Sequence, residues 1–217
     1  MGTPQARSFT RLLIGLQVLL VAAIAAVNAK TVVIVNSGAP VEMPWRNDVA
    51  AILLTWFPGE EMGNAIADVV YGAVEPGGHL PTSWAKSLAE APVSNTDPEA
   101  GSLNVVYSEG LNIGYRAYAA AGTEPAYWMG HGLGYTTWER VSIDAPASVA
   151  CCENATVSVT LRNTGERAGS NVVQVYVRRR ESAVARPTHW LAGFARVGAE
   201  AGTSVTADVT IDARRFQ

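Results

Sequence analysis

The chain has 217 residues, 48% hydrophobic and 16% charged, which is enough to bury a core in one or two domains. The formal net charge is only −3, and the single basic cluster is the arginine run at residues 178–180. A nucleic-acid-binding protein normally shows a strongly basic face, so the composition gives no reason to expect a nucleic-acid partner. We expect the arginine run to be a solvated strand end.

The two cysteines, Cys151 and Cys152, are adjacent. Neighbouring side chains on an extended strand point to opposite faces, so we expect the two thiols to bridge each other poorly. We therefore expect that one of the two thiols is packed, that the other is exposed, and that the protein resides in a reducing compartment. No metal-ligand spacing joins the cysteines to His79, His131 or His189. The sequence therefore predicts no metal site and no cofactor.

The first 29 residues admit two interpretations. Two arginines precede an apolar run whose end, residues 27–29, resembles a signal-peptide cleavage site. The interpretation we favour is a core helix over residues 21–27 that packs on an apolar strand at residues 32–35. We accordingly favour a cytoplasmic location, with export as the alternative if residues 1–29 are a signal peptide.

From residue 30 to residue 84, short apolar runs alternate with one helical pattern. Strands are predicted at residues 31–35, 49–56 and 80–84. The helix has its apolar positions at i, i+3, i+4, i+7 and i+8 and two acidic residues in its first turn. Fully apolar strands around a helix predict a parallel sheet covered on both faces. The helical face comprises Met62, Ala65, Ile66, Val69 and Val70, and the acidic residues are Glu60 and Glu61.

The remainder changes character twice. Residues 85–138 are rich in Ser, Asn, Gly and Tyr and have little periodicity, which is typical of a functional segment or one that wraps a neighbouring domain. From residue 139 the hydrophobic period becomes two, with strands predicted at residues 156–161, 173–177 and 205–211. Half-buried strands joined by polar turns predict a small antiparallel sandwich. The fold class is thus α/β followed by all-β.

Four segments carry a family resemblance. They are TVVIVNSGAPV at 31–41; WFPGEEMGNAIADVVYG at 56–72 with PGGHLPT at 76–82; YSEGLNIGYR at 107–116 with GHGLGYTTW at 130–138; and VSVTLRNTGERAG at 157–169 with VQVYV at 173–177 and the stretch 186–194. In this order they resemble the C-terminal part of glycoside hydrolase family 3, whose members include β-glucosidases.

The resemblance implies parts of two domains, preceded by an N-terminal segment that matches neither. Residues 21–138 correspond to the C-terminal part of the family's α/β sandwich domain, and residues 139–217 to its immunoglobulin-like, fibronectin type III-like domain. Residues 1–20 match neither. Family members continue into further strand beyond the one ending near Ile211, so we expect an incomplete sandwich here.

The resemblance also bears on catalysis. Retaining glycoside hydrolysis uses two carboxyl groups about 5 Å apart. In the family the nucleophile is an Asp on a preceding barrel domain, and the acid/base is usually a Glu upstream of the helix at residues 21–28. Residues 1–20 contain neither Asp nor Glu. We therefore assign no catalytic residue and predict a β-glucosidase-type fragment that is inactive alone and needs a barrel domain or a complementing chain.

Three residues are predicted to lie near substrate in a complete enzyme: Glu109, Tyr107 and Arg116. In the family their segment comes close to the active-site side, and the complete enzyme would take a β-glucoside or oligosaccharide. The alternatives are that Glu109 fixes its loop as a hydrogen-bond acceptor and that Arg116 is its partner or a surface charge. For Tyr107 and the other rings of this region the alternative to sugar stacking is packing at a domain interface.

Two other functions stay open at this point. One is a non-catalytic module that binds carbohydrate or protein through the sandwich or the aromatic loops. The other is the product of a degraded gene with no maintained role.

Overall fold

The structure is a computed structural model that describes residues 4–92 and 104–216, with side chains described from residue 15 onward. The chain divides into two compact units. The first comprises the chain up to residue 66 together with residues 85–91, and the second comprises residues 67–84 and the chain from residue 92 onward. The predicted domain limits at residues 20 and 138 remain predictions.

The first unit contains a long helix and two parallel strands. Helix α1 spans Pro4–Val27, β1 spans Val32–Val35 and β2 spans Ala51–Leu54. The strands run in parallel register, with Val32 opposite Ala51 and Val35 opposite Leu54, so the predicted parallel sheet is confirmed. Residues 21–27 are helical as predicted and form the end of α1, but only Ala25 among them is buried, so their prediction as a core helix is not confirmed. Among the described residues, no helix meets the length and hydropathy needed to cross a membrane.

The sequence predicted that both faces of this sheet are covered, and this prediction is wrong for one face. Val32 and Ile34 alternate with their neighbours and so share a face of β1. They are 50% and 45% exposed, whereas Val35 is buried. The face of β1 that carries Val32 and Ile34 is therefore uncovered in the described unit, and an apolar surface there is open to water.

Helix α2 spans Met62–Val70, as the apolar period predicts. Glu60 and Glu61 come immediately before it instead of in its first turn, and the N–H of Ala65 donates to the Glu61 carbonyl at 3.0 Å. None of the helix residues is fully buried, and the division between the two units falls inside this helix.

The strand predicted at residues 80–84 is wrong. Trp84 alone forms a β-bridge, with Tyr127, and its side chain is only 2% exposed. Leu80 also exchanges backbone hydrogen bonds with Gly130 and His131, but the residues between Leu80 and Trp84 join no ladder, and Pro81 among them has no N–H to donate.

The second unit holds the predicted antiparallel strands in two sheets. One sheet has the order β3-β4-β7, and the other pairs β5 with β6. Helix α3 and strands β3 and β6 were not predicted. The elements are α3 Tyr115–Ala121, β3 Trp138–Asp144, β4 Ala155–Asn163, β5 Gly169–Val177, β6 Trp190–Ala199 and β7 Ser204–Ile211, with short 3₁₀ helices at Leu88–Glu90 in the first unit and Ala213–Phe216 in the second.

The core of the second unit lies between these sheets. Alternate residues of β4 and β7 point inward, as their period of two predicts, and the outward residues are polar. Burial of these aliphatic side chains is the main free-energy gain that closes the sandwich, at about 25 cal/mol per Å² of apolar surface. The buried cluster comprises Ala155, Val157, Val159, Leu161, Val173, Ala192, Ala207, Val209 and Ile211.

The cysteines differ from expectation. Cys151 and Cys152 lie in the turn between β3 and β4, not on a strand, and both thiols are free and exposed. The predicted packing of one of them is therefore wrong.

Candidate functional site

Helix α3 positions the segment that carries the predicted site residues. Gly114 precedes it with φ 55°, and Gly122 ends it in the left-handed conformation with φ 64°, so both ends use backbone angles that side-chain-bearing residues rarely adopt. Tyr118 faces inward and is only 4% exposed. This anchoring turns the start of the helix, with Tyr115 and Arg116, toward the β5–β6 side of the sandwich unit.

Tyr115 is the centre of a ring cluster. Its hydroxyl accepts a hydrogen bond from the backbone N–H of Leu191 at 2.8 Å. Its ring lies edge-on to Tyr176 at 5.7 Å between centroids and beside His189 at 5.8 Å. Burial, and then the neighbouring Tyr115, raise the pKa of Tyr176. The Tyr176 phenol therefore remains neutral through the physiological pH range and acts as a packing and hydrogen-bonding group.

A pocket of about 440 Å³ lies against this cluster. Three arginine side chains and the Trp190 ring contribute to its wall, and no carboxylate is among the described residues that line it. Guanidinium groups remain protonated in proteins and donate hydrogen bonds to anions or hydroxyl oxygens. The pocket is suited to holding such a ligand, and its described lining has no carboxylate that could act as a general acid or base. Its lining is Leu111, Tyr115, Arg116, Val184, Ala185, Arg186, Pro187, Trp190, Leu191 and Arg215.

The three predicted site residues have different surroundings. Arg116 lines the pocket, while Glu109 and Tyr107 do not. Tyr107 is 82% exposed. One carboxylate oxygen of Glu109, Oε2, and the Nε of Arg116 are buried without a hydrogen-bond partner in the described part of the chain, and no ion pair joins the two side chains there. A role for these residues near substrate remains a prediction.

A second pocket, of about 420 Å³, lies beside the β3–β4 turn and is lined in part by Asp144 and Glu153. Both side chains are exposed. A carboxylic acid that serves as a general acid sits in an enclosed, apolar setting, which neither residue has. Within the described ranges, no group of three or more His, Cys, Asp or Glu side chains is arranged to hold a metal ion.

The glycine-rich loop at residues 130–138 packs inside the second unit. A Cβ at Gly132 would collide with the Gly78 carbonyl, and a Cβ at Gly134 would collide with the Glu75 carboxylate. The approach to a backbone oxygen explains the glycine at 132, and both contacts indicate that the loop is a packing element. The neighbouring Glu75 accepts a hydrogen bond from the Ser170 N–H at 2.9 Å, which ties this region to β5.

Most rings near this loop are occupied by protein partners. Tyr127 stacks on His131 at 4.8 Å between centroids, and the Tyr135 hydroxyl donates to the Val69 carbonyl at 2.6 Å. The Trp128 indole N–H donates to the Glu124 carboxylate at 2.9 Å. These contacts support packing over sugar stacking for the loop rings.

Apart from Arg116 and Tyr115, which is one of the rings considered for sugar stacking, the pocket residues were not singled out from the sequence. Residues 184–187 and Trp190 meet α3 across roughly seventy positions of sequence, so no local pattern places them together. The segment 186–194 stands out as a family motif, but the motif does not reveal which of its side chains face a cavity.

Two family models match the chain. Residues 8–115 match the model described as glycosyl hydrolase family 3 C-terminal domain, and residues 171–217 match the fibronectin type III-like domain. A curated β-glucosidase from Rhizobium radiobacter is 40% identical over 205 residues, which are 92% of this chain and 25% of that protein.

Solved structures agree. A β-glucosidase from Kluyveromyces marxianus in complex with glucose superposes with a TM-score of 0.82 at 40% identity, over 90% of this chain and 23% of that one. A family 3 β-glucosidase from Bifidobacterium adolescentis gives 0.84 at 35% identity, over 92% and 29%. The chain belongs to glycoside hydrolase family 3 and corresponds to its C-terminal part. It spans about a quarter of the length of these relatives.

Proposed function

We propose that the 217-residue chain is a non-catalytic part of a β-glucosidase-type glycoside hydrolase and does not hydrolyse glycosides by itself. The observation that carries this proposal is chemical. The pocket beside the predicted residues offers guanidinium groups and rings and, among its described lining, no carboxylate. Retaining hydrolysis needs a nucleophilic carboxylate and a second carboxyl group as acid/base, about 5 Å apart.

The exposed apolar face of β1 supports the proposal that another domain covers it in the complete enzyme. Val32 and Ile34 leave about half of their side-chain surface in water, and Leu19 and Leu20 of α1 are 67% and 61% exposed. Parallel sheets are normally covered on both faces. A barrel domain, in the same protein or in a complementing chain, would supply both the catalytic carboxylates and the contacts that such surfaces lack.

The substrate class follows from the relatives. They are named β-glucosidases, and one was solved with glucose bound. In a complete enzyme the substrate is accordingly a β-glucoside or an oligosaccharide. Glu109, Tyr107 and Arg116 are the residues of this chain that we propose near it, with Arg116 donating hydrogen bonds to sugar hydroxyls.

The experiment is an activity assay on the folded chain. We expect no hydrolysis of an aryl β-glucoside above a buffer control, for the wild-type chain or for Glu109→Gln. Turnover by the wild type that Glu109→Gln abolishes would contradict the proposal and make Glu109 a catalytic acid. Equal turnover by both would identify a contaminating enzyme, and a repeat with repurified protein would then decide the matter.

A non-catalytic carbohydrate-binding module is the second candidate, and the exposed ring of Tyr107 favours it. Flat rings in water stack on sugar faces. Titration calorimetry with a β-glucan oligosaccharide tests it: saturable binding that Tyr107→Ala weakens would support the module, and the absence of heat would exclude it for that ligand.

A cytoplasmic location remains part of the proposal. Expression of the gene with a C-terminal tag, followed by cell fractionation and intact-mass measurement, tests it. Tagged protein in the exported fraction that lacks residues 1–29 would establish the signal-peptide alternative.

A further inference from the structure

The two cysteines form a paired thiol site that the hydrolase function does not use. They are the only cysteines of the chain. Both lie at the surface in the turn that joins β3 to β4, and their Sγ atoms are 3.2 Å apart. The separation is within the distance for a hydrogen bond between the thiols, so the two side chains face each other.

The turn backbone creates this arrangement. Cys152 has φ 68°, in the left-handed region that residues with a side chain seldom occupy. The turn is closed by a hydrogen bond from the Glu153 N–H to the Ala150 carbonyl at 3.2 Å. On an extended strand the two thiols would point to opposite faces. The left-handed residue brings them to the same side.

We propose that Cys151 and Cys152 are a reversible modification site that closes into a disulfide between adjacent residues, with a low-molecular-weight disulfide such as oxidised glutathione as the oxidant. One cysteine, as its thiolate, attacks a sulfur of oxidised glutathione, forms a mixed disulfide and expels one glutathione thiolate. The second cysteine then loses its proton, attacks the protein sulfur of the mixed disulfide and expels the second glutathione. The cysteine pair gives up two electrons and two protons, and oxidised glutathione becomes two reduced molecules.

Two physical features determine how the site behaves. The hydrogen bond with Cys151 raises the pKa of Cys152, so thiolate formation at that residue shifts to higher pH and the exchange is faster in alkaline buffer. Adjacent Cα atoms are about 3.8 Å apart, below the roughly 4.4 Å minimum of ordinary disulfides. A bond made under this constraint is strained and is reduced easily, which makes the modification reversible.

Intact-mass spectrometry tests the proposal. The reduced chain is incubated with oxidised glutathione in mildly alkaline buffer and then treated with an excess of an alkylating reagent. We expect the wild type to lose two hydrogens, to retain no glutathione and to take up no alkyl group. Cys151→Ser and Cys152→Ser are the matched controls, and each should retain one glutathione because the second thiol is absent.

Several outcomes would overturn the proposal. They are wild-type protein that retains one or two glutathiones, that takes up two alkyl groups, or that forms disulfide-linked dimers. A repeat in concentrated urea tests the role of the turn. We expect the mixed disulfide to accumulate there because the unfolded backbone no longer holds the thiols together. Closure in urea as fast as in the folded chain would contradict a role for the fold.

Discussion

At the scale of single residues, Asn163 does most to hold the second unit together. Its side chain is completely buried. The amide donates to the Arg167 carbonyl at 2.7 Å and to the Ala199 carbonyl at 3.0 Å, while its oxygen accepts from the Gly165 N–H and the Thr136 hydroxyl. One side chain thus joins the turn before β5, the end of β6 and the glycine-rich loop through four hydrogen bonds.

Replacement of Asn163 by alanine should therefore be costly. Each buried polar group left without a partner costs about 1–3 kcal/mol, so we expect Asn163→Ala to lower the free energy of unfolding by roughly 2–4 kcal/mol. Urea unfolding followed by circular dichroism measures it. Asn112→Ala, at an exposed position of the same unit, is the control and should stay within about 0.5 kcal/mol of the wild type. Equal losses in the two variants would contradict this account of Asn163.

His131 gives the second unit a pH dependence. Burial, and then the neighbouring His79, lower the pKa of His131 below its ordinary value of 6.5. Between the folded-state pKa and 6.5 the unfolded chain binds more protons than the folded one, so the unfolding free energy rises with pH in that window. The contribution of neutral His131 to the unfolding free energy should be fully present above pH 6.5 and should be lost as the pH falls from 6.5 through the folded-state pKa.

Urea unfolding at a series of pH values checks this prediction. His131→Gln should flatten the pH profile below 6.5, and His79→Gln should flatten it less, because burial is the larger cause of the shift. Identical slopes for the wild type and His131→Gln would show that another group is responsible.

At the scale of elements, a strand can be predicted from the sequence when apolar inward residues alternate clearly with polar outward residues. Strands β4 and β7 alternate sharply, and both were predicted. Strand β3 was missed because nearly all of its residues are exposed. Strand β6 was missed because Gly193 and Gly198 interrupt its pattern, and α3 has only seven residues. The sequence indicated only the part of the site near Arg116 and Tyr115, since the walls formed by residues 184–191 and Arg215 come from distant segments.

The glycines of β6 permit an element-scale test. A Cβ at Gly193 would lie 2.8 Å from Cγ1 of the buried Val209 and 3.1 Å from the Thr210 carbonyl oxygen. At Gly198 the nearest atom, the Gly169 carbonyl oxygen, is 3.4 Å away. We expect Gly193→Ala to lose about 1–3 kcal/mol through overpacking, and Gly198→Ala to change the unfolding free energy by about 0.5 kcal/mol or less.

The two alanine variants lie on the same strand, and the effect of alanine on the unfolded chain is similar for both. The difference between their urea midpoints, at unchanged m-value, therefore reports the packing at Gly193. A Gly198→Ala variant as unstable as Gly193→Ala would contradict close packing of β6 on β7.

At the scale of the whole molecule, the chain combines a sandwich unit that has its own buried core with a unit whose parallel strands remain half-open. We expect the sandwich unit to retain its fold without neighbours, because the aliphatic cluster between its sheets is buried. The unit with the parallel strands exposes apolar side chains, among them Val32 and Ile34, that a further domain would bury. This asymmetry, together with an arginine-lined pocket that has no carboxylate among its described residues, supports our proposal that catalysis depends on another part of the enzyme.

The most direct test is complementation. Hydrolysis of an aryl β-glucoside is measured for this chain, for the N-terminal part of a curated relative that the chain does not span, and for an equimolar mixture of the two. We predict no turnover by either part alone and turnover in the mixture, because the relative's part would supply the barrel and its carboxylates. Turnover by this chain alone, equal to that of the mixture and abolished by Glu109→Gln, would contradict the account.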